Sequence, residues 1–280
     1  MRRRQVARYA LLALWAAVVL FPLYWLVTAS FKDPLAVSQG PRFVPWIDFE
    51  PTLAAWSAII RGVEKESVAG PLLNSALVGI FSTALAVAGG AAAAYGISRY
   101  RISVGPLGNA DVLFWIVSQR IMPPIVTALA LFLMFRVAGL LDSRLGLVLV
   151  YATFNLPLAT WLMHNFYRQV PLSLEEAAKI DGASRGHILW RVVLPVSAPG
   201  LAATALLCFI FAWNEFLFAL ILTFDHARTM PILIAAQHNQ RGIEWWALSA
   251  MSLITIAPVV AITLALQRYL TSSVLAGSEM

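Results

Sequence analysis

A single cysteine, Cys208, leaves this chain of 280 residues with no disulfide framework and no thiol pair for redox chemistry. Set in an apolar run, it reads as a small buried core residue. Histidine is scarce as well: the four are scattered, so no metal-ligand spacing exists and no nucleophile has a base beside it. The largest deficit is charge. Asp, Glu, Lys and Arg make up 12% of the residues, while apolar residues reach 60% and mean hydropathy is +0.77. Soluble proteins average roughly 25% charged residues, so an ordinary soluble domain is excluded, and the surplus apolar surface needs lipid. Gly89-Gly90 is followed by four alanines rather than by Lys-Ser/Thr, and no strand precedes it. It therefore reads as close helix packing, not as a phosphate loop.

Long apolar runs are what the chain has in abundance. A spanning helix needs about 20 mostly apolar residues. Six stretches meet that length: Tyr9–Thr28, Leu72–Tyr95, Leu113–Phe135, Leu145–Phe166, Ala198–Leu222 and Trp246–Tyr269. The expectation is an all-α integral membrane protein of six transmembrane helices, a single transmembrane domain over residues 1–280. Arg2-Arg3-Arg4 before the first run suggests a signal peptide. That run, however, exceeds the roughly 7–15 residues of a signal core and no small-x-small cleavage site follows it, so a retained anchor is expected. Arg2, Arg3, Arg4 and Arg8 disfavour translocation of the N-terminal flank, which with six spans places both termini in the cytoplasm. The net charge of +6 then needs no nucleic acid, because a basic inner surface facing the membrane accounts for it.

Two connections are long enough to have a role. The outer one, residues 30–71, carries Pro34, Pro41, Pro45 and Pro51 among Phe43, Trp46, Phe49 and Trp56, and is expected to pack down as a docking surface. The inner one, residues 167–197, is polar and patterned. Ser173 with Glu176 three residues on predicts a capping box, Gly182 a helix stop, and Ser184 a second cap. An apolar stripe of Ile188, Leu189, Val192 and Val193 then runs to Pro195, which is expected to end the helix. Leu174, Ala177, Ala178 and Asp181 share a face of the first short helix, where the alanines allow another backbone to approach closely.

Glu176-Ala177-Ala178, three residues, Gly182, nine residues, then Val192-Val193-Leu194-Pro195 is similar to the EAA-x3-G-x9-I-x-LP signature of ABC importer permeases, with valine at the isoleucine position. It falls between spans four and five, where that family has it. Phe211 to Leu220, Gln267-Arg268-Tyr269-Leu270 and Leu275-Ala276-Gly277 resemble the carbohydrate, maltose-type branch. The resemblance implies one of two homologous permease subunits in a bacterial-type inner membrane. It further implies two copies of an ABC ATPase that bind ATP and Mg, and an extracytoplasmic binding protein that delivers a sugar, oligosaccharide or polyol. No cofactor is expected on this chain, which would not itself be an enzyme. Glu175, Glu176, Ala177, Ala178, Asp181, Gly182, Leu194 and Pro195 would form the coupling loop on the ATPase.

Charges inside spans are costly and usually face a bundle interior or water. Arg120 and Glu215 are two such residues; they either line a translocation path or are structural, paired to each other or to backbone carbonyls. Trp213, Asn214 and Phe218 beside Glu215, and Asn155 beside Pro157, make an aromatic and polar set suited to sugar. Phe211, Glu215, Phe218 and Leu222 are expected on one helix face. Pro123-Pro124 breaks or kinks the third span, and His238-Asn239-Gln240 reads as an exposed turn. An ion-gradient-driven transporter would leave the capped inner loop without a role, and an intramembrane enzyme would lack its nucleophile or metal cluster.

Overall fold

A computed structural model of the chain describes all residues except 1, 34–35, 38–39, 41, 62–66, 103–104, 240–241 and 277–280. Pro34, Pro41, Gln240 and Gly277 thus lie outside the described residues. Nearly everything described is helical, and the chain divides into two compact units: Met1–Leu72 with Ile232–Pro258, and Leu73–Pro231 with Val259–Met280.

In the first unit, α1 (Arg2–Ser30) is apolar all round, and none of its bilayer-length window is buried within the chain. The segment after it folds back onto its last turns. Phe43 packs on Phe21 and Trp25 with ring centroids 5.9 and 5.3 Å apart, and Tyr24 donates to the Phe43 carbonyl at 2.7 Å. Lys32 is buried there at 1% exposure, its ammonium 4.1 Å from the Trp25 ring and 5.0 Å from Phe49, donating to the Arg42 carbonyl. Burial pushes the Lys32 ammonium below its ordinary pKa, against the opposing pull of Asp48. Trp46, by contrast, is exposed. Helix α2 (Ala54–Arg61) follows, and a two-residue antiparallel pair joins β1 (His238–Asn239) to β2 (Gly242–Ile243).

The second unit takes in most of α3 (Ala69–Arg99), then α4 (Asn109–Ser118), α5 (Pro124–Ala138), α6 (Arg144–Tyr167), α7 (Leu172–Ile180), α8 (Arg185–Ile188), α9 (Leu194–Val196), α10 (Ala198–Trp213) and α11 (Leu217–Leu222). Beyond these come α12 (Met230–Ala235) and α13 (Trp245–Ala276), both of which cross the boundary between the units. Small residues set the packing. A Cβ on Gly90 would lie 2.5 Å from the Ala159 Cβ and 2.8 Å from the Thr160 amide nitrogen, so α3 and α6 touch backbone to backbone there. Cys208 is fully buried beside Val87 and Ala159.

Among the described residues, four helices are long and apolar enough to cross a bilayer unbroken, and two bent pairs supply up to two further spans. In the first bent pair, a 3-10 turn at Gln119–Ile121 leads to extended Met122 and Pro123, and the chain turns 86° into α5. Proline keeps its preceding residue out of the helical region, while Pro124 occupies the first turn of the next helix, where its missing donor costs nothing. The expected fifth span is not one helix. It ends at Trp213, resumes at Leu217, and its start lies 83° off the preceding run Arg185–Val196.

One loop is fixed with unusual completeness. The Asp142 carboxylate accepts from the amides of Phe224, Asp225, His226 and Ala227 at 3.0–3.2 Å. Asn74 donates to the carbonyls of His226 and Arg228 and accepts from Arg144. Partial burial raises the Asp142 pKa, but the four amides outweigh it and hold the carboxyl below its usual range.

Candidate functional site

Residues 167–197 form a corner of short helices. Helix α7 starts at Leu172 with Pro171 as N-cap, so the expected capping box of Ser173 and Glu176 does not form. Pro171 already carries a helix-compatible φ of −59°, which draws the start forward and puts Ser173 inside the first turn. The stop is as expected. Gly182 has φ +80°, its amide bonds Lys179 O, and the Ala183 amide bonds Ala178 O, which together close the helix as a Schellman motif. Ser184 accepts from the His187 amide at 3.3 Å and caps α8. Pro195 does not end that helical run. A π turn over Leu189–Val193, with the Leu194 amide on Leu189 O, carries the helix through Pro195 to Val196, and the bend comes at Ser197. Proline's ring clashes with the carbonyl four residues back in an α-helix, and a π turn just before it relieves that conflict.

The adjacent glutamates diverge. Glu175 is 2% exposed, its Oε1 is 2.5 Å from Arg99 Nε, and its Oε2 accepts from the Tyr95 hydroxyl at 3.1 Å. Arg99 also donates to the carbonyls of Tyr167 at 2.7 Å and Val170 at 3.3 Å. One guanidinium at the C-terminal end of α3 thereby joins the end of α6 to α7, where unpaired carbonyls favour a cation. Glu176, Ala177, Asp181 and Gly182 are exposed. Ala178 and Leu194 are half-buried against a core that includes Tyr95, Tyr167, Ile188 and Val193, while Pro195 is exposed. Of the eight residues expected at this corner, Glu175 alone is turned wholly inward.

The second constellation lies at the breaks. Arg120, Asn155, Glu215 and Phe218 line a cavity of about 290 Å³, together with Tyr151, Phe154 and Phe211. Arg120 stacks on Phe211, 4.4 Å from its centroid, and donates to the Phe154 carbonyl at 3.2 Å. It makes no ion pair with Glu215, whose two oxygens instead accept from the amides of Phe218 and Ala219 at 2.9 and 3.2 Å. Glu215 therefore lies between helices and not on one, which overturns the expected continuous face; the break itself brings Phe211, Glu215 and Phe218 together. Asn155 donates to the Cys208 carbonyl at 3.3 Å across the α6–α10 contact. Trp213 packs on Phe209 and Asn214 donates to Ile210 O, and neither lines the cavity. Tyr151 and Phe154 escaped the sequence reading, although with Asn155 they stand at i, i+3 and i+4 on one face of α6. The Tyr151 hydroxyl is buried and has the Glu215 carboxylate as its charged neighbour. Among the described residues, no three His, Cys, Asp or Glu side chains group to hold a metal.

Residues 86–275, which contain both constellations, match the family described as "Binding-protein-dependent transport system inner membrane component". The chain belongs to this family. It is an ABC permease, a membrane subunit whose ATP hydrolysis is carried out by a partner, so the gradient-driven and enzymatic alternatives fall. The permease is 34% identical to the trehalose/maltose transport system permease protein MalG of Thermococcus litoralis, over 95% of this chain and 93% of that one. It is 32% identical to the trehalose transport system permease protein SugB of Mycobacterium tuberculosis, over 99% of each. Its fold resembles that of a chain in a bacterial ABC transporter involved in the import of the acidic polysaccharide alginate, with a TM-score of 0.75, 24% identity and 96% of both chains covered.

Proposed function

We propose that the whole chain acts as one transmembrane domain that passes a sugar, oligosaccharide or polyol through a pore shared with a second homologous permease subunit. An extracytoplasmic solute-binding protein delivers the cargo, and two copies of an ABC ATPase, which bind the ATP and Mg, drive it. The sugar names carried by relatives aligned over nearly the full chain support the cargo class. The basic flank at Arg2–Arg4 supports cytoplasmic termini. Arg120, Asn155, Tyr151 and Glu215 line the translocation path.

The observation that carries this reading is the divergence of Glu175 and Glu176. The inward glutamate fixes α7 to the ends of α3 and α6, leaving Glu176, Ala177 and Gly182 on an exposed corner free to sit in a groove of the ATPase. Rigid-body closure of the ATPases then moves the α3 and α6 spans together. Glu176→Lys touches no described packing, so the reconstituted complex should assemble and hydrolyse ATP but lose ATP-driven uptake. Uptake at the unmodified rate in that variant would overturn the coupling role.

A further inference from the structure

The connection after α1 carries an apolar surface that the transport reading leaves without a role. The chain first returns toward the middle of that helix. The Phe43 ring packs on Phe21 and Trp25, five to nine residues before the helix ends at Ser30. At about 1.5 Å per residue it lies about 8–14 Å short of that end. By Thr52, whose amide bonds the Phe31 carbonyl at 2.7 Å, the chain is level with the helix end again. Residues 43–49 are therefore a dip alongside a bilayer-length helix whose apolar window is nowhere buried within the chain.

Within the dip a tight turn presents Trp46 and Ile47, 82% and 81% exposed. Trp46 holds φ +63°, a left-handed conformation that a bulky side chain rarely adopts. Such strain persists only where the surroundings enforce it, and it clusters at functional positions. The enforcement is visible here. The Asp48 carboxylate accepts from the amides of Phe43 and Val44 at 2.8 Å each. The Trp46 amide bonds Phe49 O at 2.8 Å, and the amides of Ile47 and Asp48 bond Val44 O at 3.3 and 2.9 Å. Pro45 has no amide to satisfy. Lys32 is buried behind the turn, against the Trp25 and Phe49 rings and on the Arg42 carbonyl.

We propose that this turn is a lipid-facing wedge, with Trp46 and Ile47 seated among the headgroups and upper acyl chains of the leaflet at the C-terminal end of α1. A turn that satisfies every amide from Phe43 to Asp48 internally loses little on leaving water. The same closure leaves none of those amides for a protein partner to pair with as an added strand, which favours lipid over the solute-binding protein as the occupant. Indole joins an apolar body to a single N–H donor and concentrates at membrane interfaces, and Ile47 beside it adds apolar area. So seated, the wedge sets the depth of α1, which that helix's uniformly apolar surface leaves unset.

Cys208 is buried, so a Cys208→Ala background lets one label be placed at a time. The test uses the assembled permease pair with its ATPases, freed of other reactive cysteines, in phosphatidylcholine nanodiscs. A fluorophore is attached through Trp46→Cys, Ile47→Cys or Glu50→Cys. Phosphatidylcholine carrying a nitroxide at acyl carbon 5 should quench the first two labels about threefold or more above the third, and aqueous iodide should show the reverse order. Combining Trp46→Gly with Ile47→Cys keeps the turn's shape, because glycine accepts the left-handed backbone, yet should lower lipid quenching by about half. Iodide quenching as strong at Trp46→Cys and Ile47→Cys as at Glu50→Cys places the turn in water and overturns the proposal. Protection from both quenchers overturns it too, by placing the second permease subunit or the binding protein over the turn. Lipid quenching unchanged by Trp46→Gly removes Trp46 as an anchor. None of these readouts needs a cargo, so their outcome is separate from that of the transport reading.

Discussion

Arg99 and Arg120 make opposite use of the same chemistry. Both sit near breaks between helices and both have a glutamate in their surroundings, yet Arg99 meets Glu175 at 2.5 Å while Arg120 and Glu215 remain apart. At the corner, cation, carboxylate, tyrosine hydroxyl and two terminal carbonyls satisfy one another and lock three helices. At the cavity, the carboxylate is absorbed by the amides at the start of α11 and the guanidinium is left over. A closed polar network fixes geometry, and an open one leaves capacity for a ligand.

The comparison breaks most readily at Glu175. Glu175→Ala strands a buried guanidinium and should cost about 3–5 kcal/mol in unfolding free energy, read as a lower melting temperature of the purified complex. Replacing both partners, Arg99→Met with Glu175→Leu, should recover most of that loss, because the pair's desolvation disappears with it; a double variant as unstable as the single one would mean the network acts by specific geometry instead. Gly182→Ala comes next. With nothing within 4 Å of its would-be Cβ, only the left-handed backbone resists, at about 1–2 kcal/mol. Arg120→Met should change stability by less than about 1 kcal/mol, since a lost ring contact offsets a relieved desolvation. A loss as large as that of Glu175→Ala would erase the contrast between the two arginines.

The smallest effect belongs to Asp142, an acid answered by amides as Glu215 is. Its folded pKa is depressed, so its contribution is fully present above the unfolded value of about 3.9 and fades as pH falls through the lower folded value. Solvent screening keeps this below about 1 kcal/mol. Hydrogen exchange at Phe224–Ala227 should stay protected at pH 6 and open as the pH falls through the depressed folded pKa of Asp142, with Asp142→Asn already more open at pH 6.

Hydropathy and turn chemistry made much of this legible. The long spans, the stop at Gly182, the cap at Ser184 and the break at Pro123-Pro124 are all local events written in single residues. The fate of Glu175 against Glu176 is not local. Helix α7 is short, and its large apolar residues Leu172, Leu174 and Ile180 are all exposed, so no apolar stripe marks its inner face, and the deciding partner is Arg99, 76 positions away. The break at Asn214–Phe216 was hidden for the opposite reason: hydropathy stays high through it and carries no signal of backbone direction. Arg120 and Glu215 were found because charge in a span is rare, but whether they pair depends on that unseen break.

The π turn at Leu189–Val193 makes the corner's aim a matter of counting. An α-helix advances about 100° per residue, so one residue removed from this stretch would rotate the exposed Glu176 face by nearly a third of a turn relative to α10, while every side chain at the corner kept its identity. The extra residue accommodated before Pro195 is thus an angular setting, and the direction in which Glu176 faces depends on that index as much as on the residues presented.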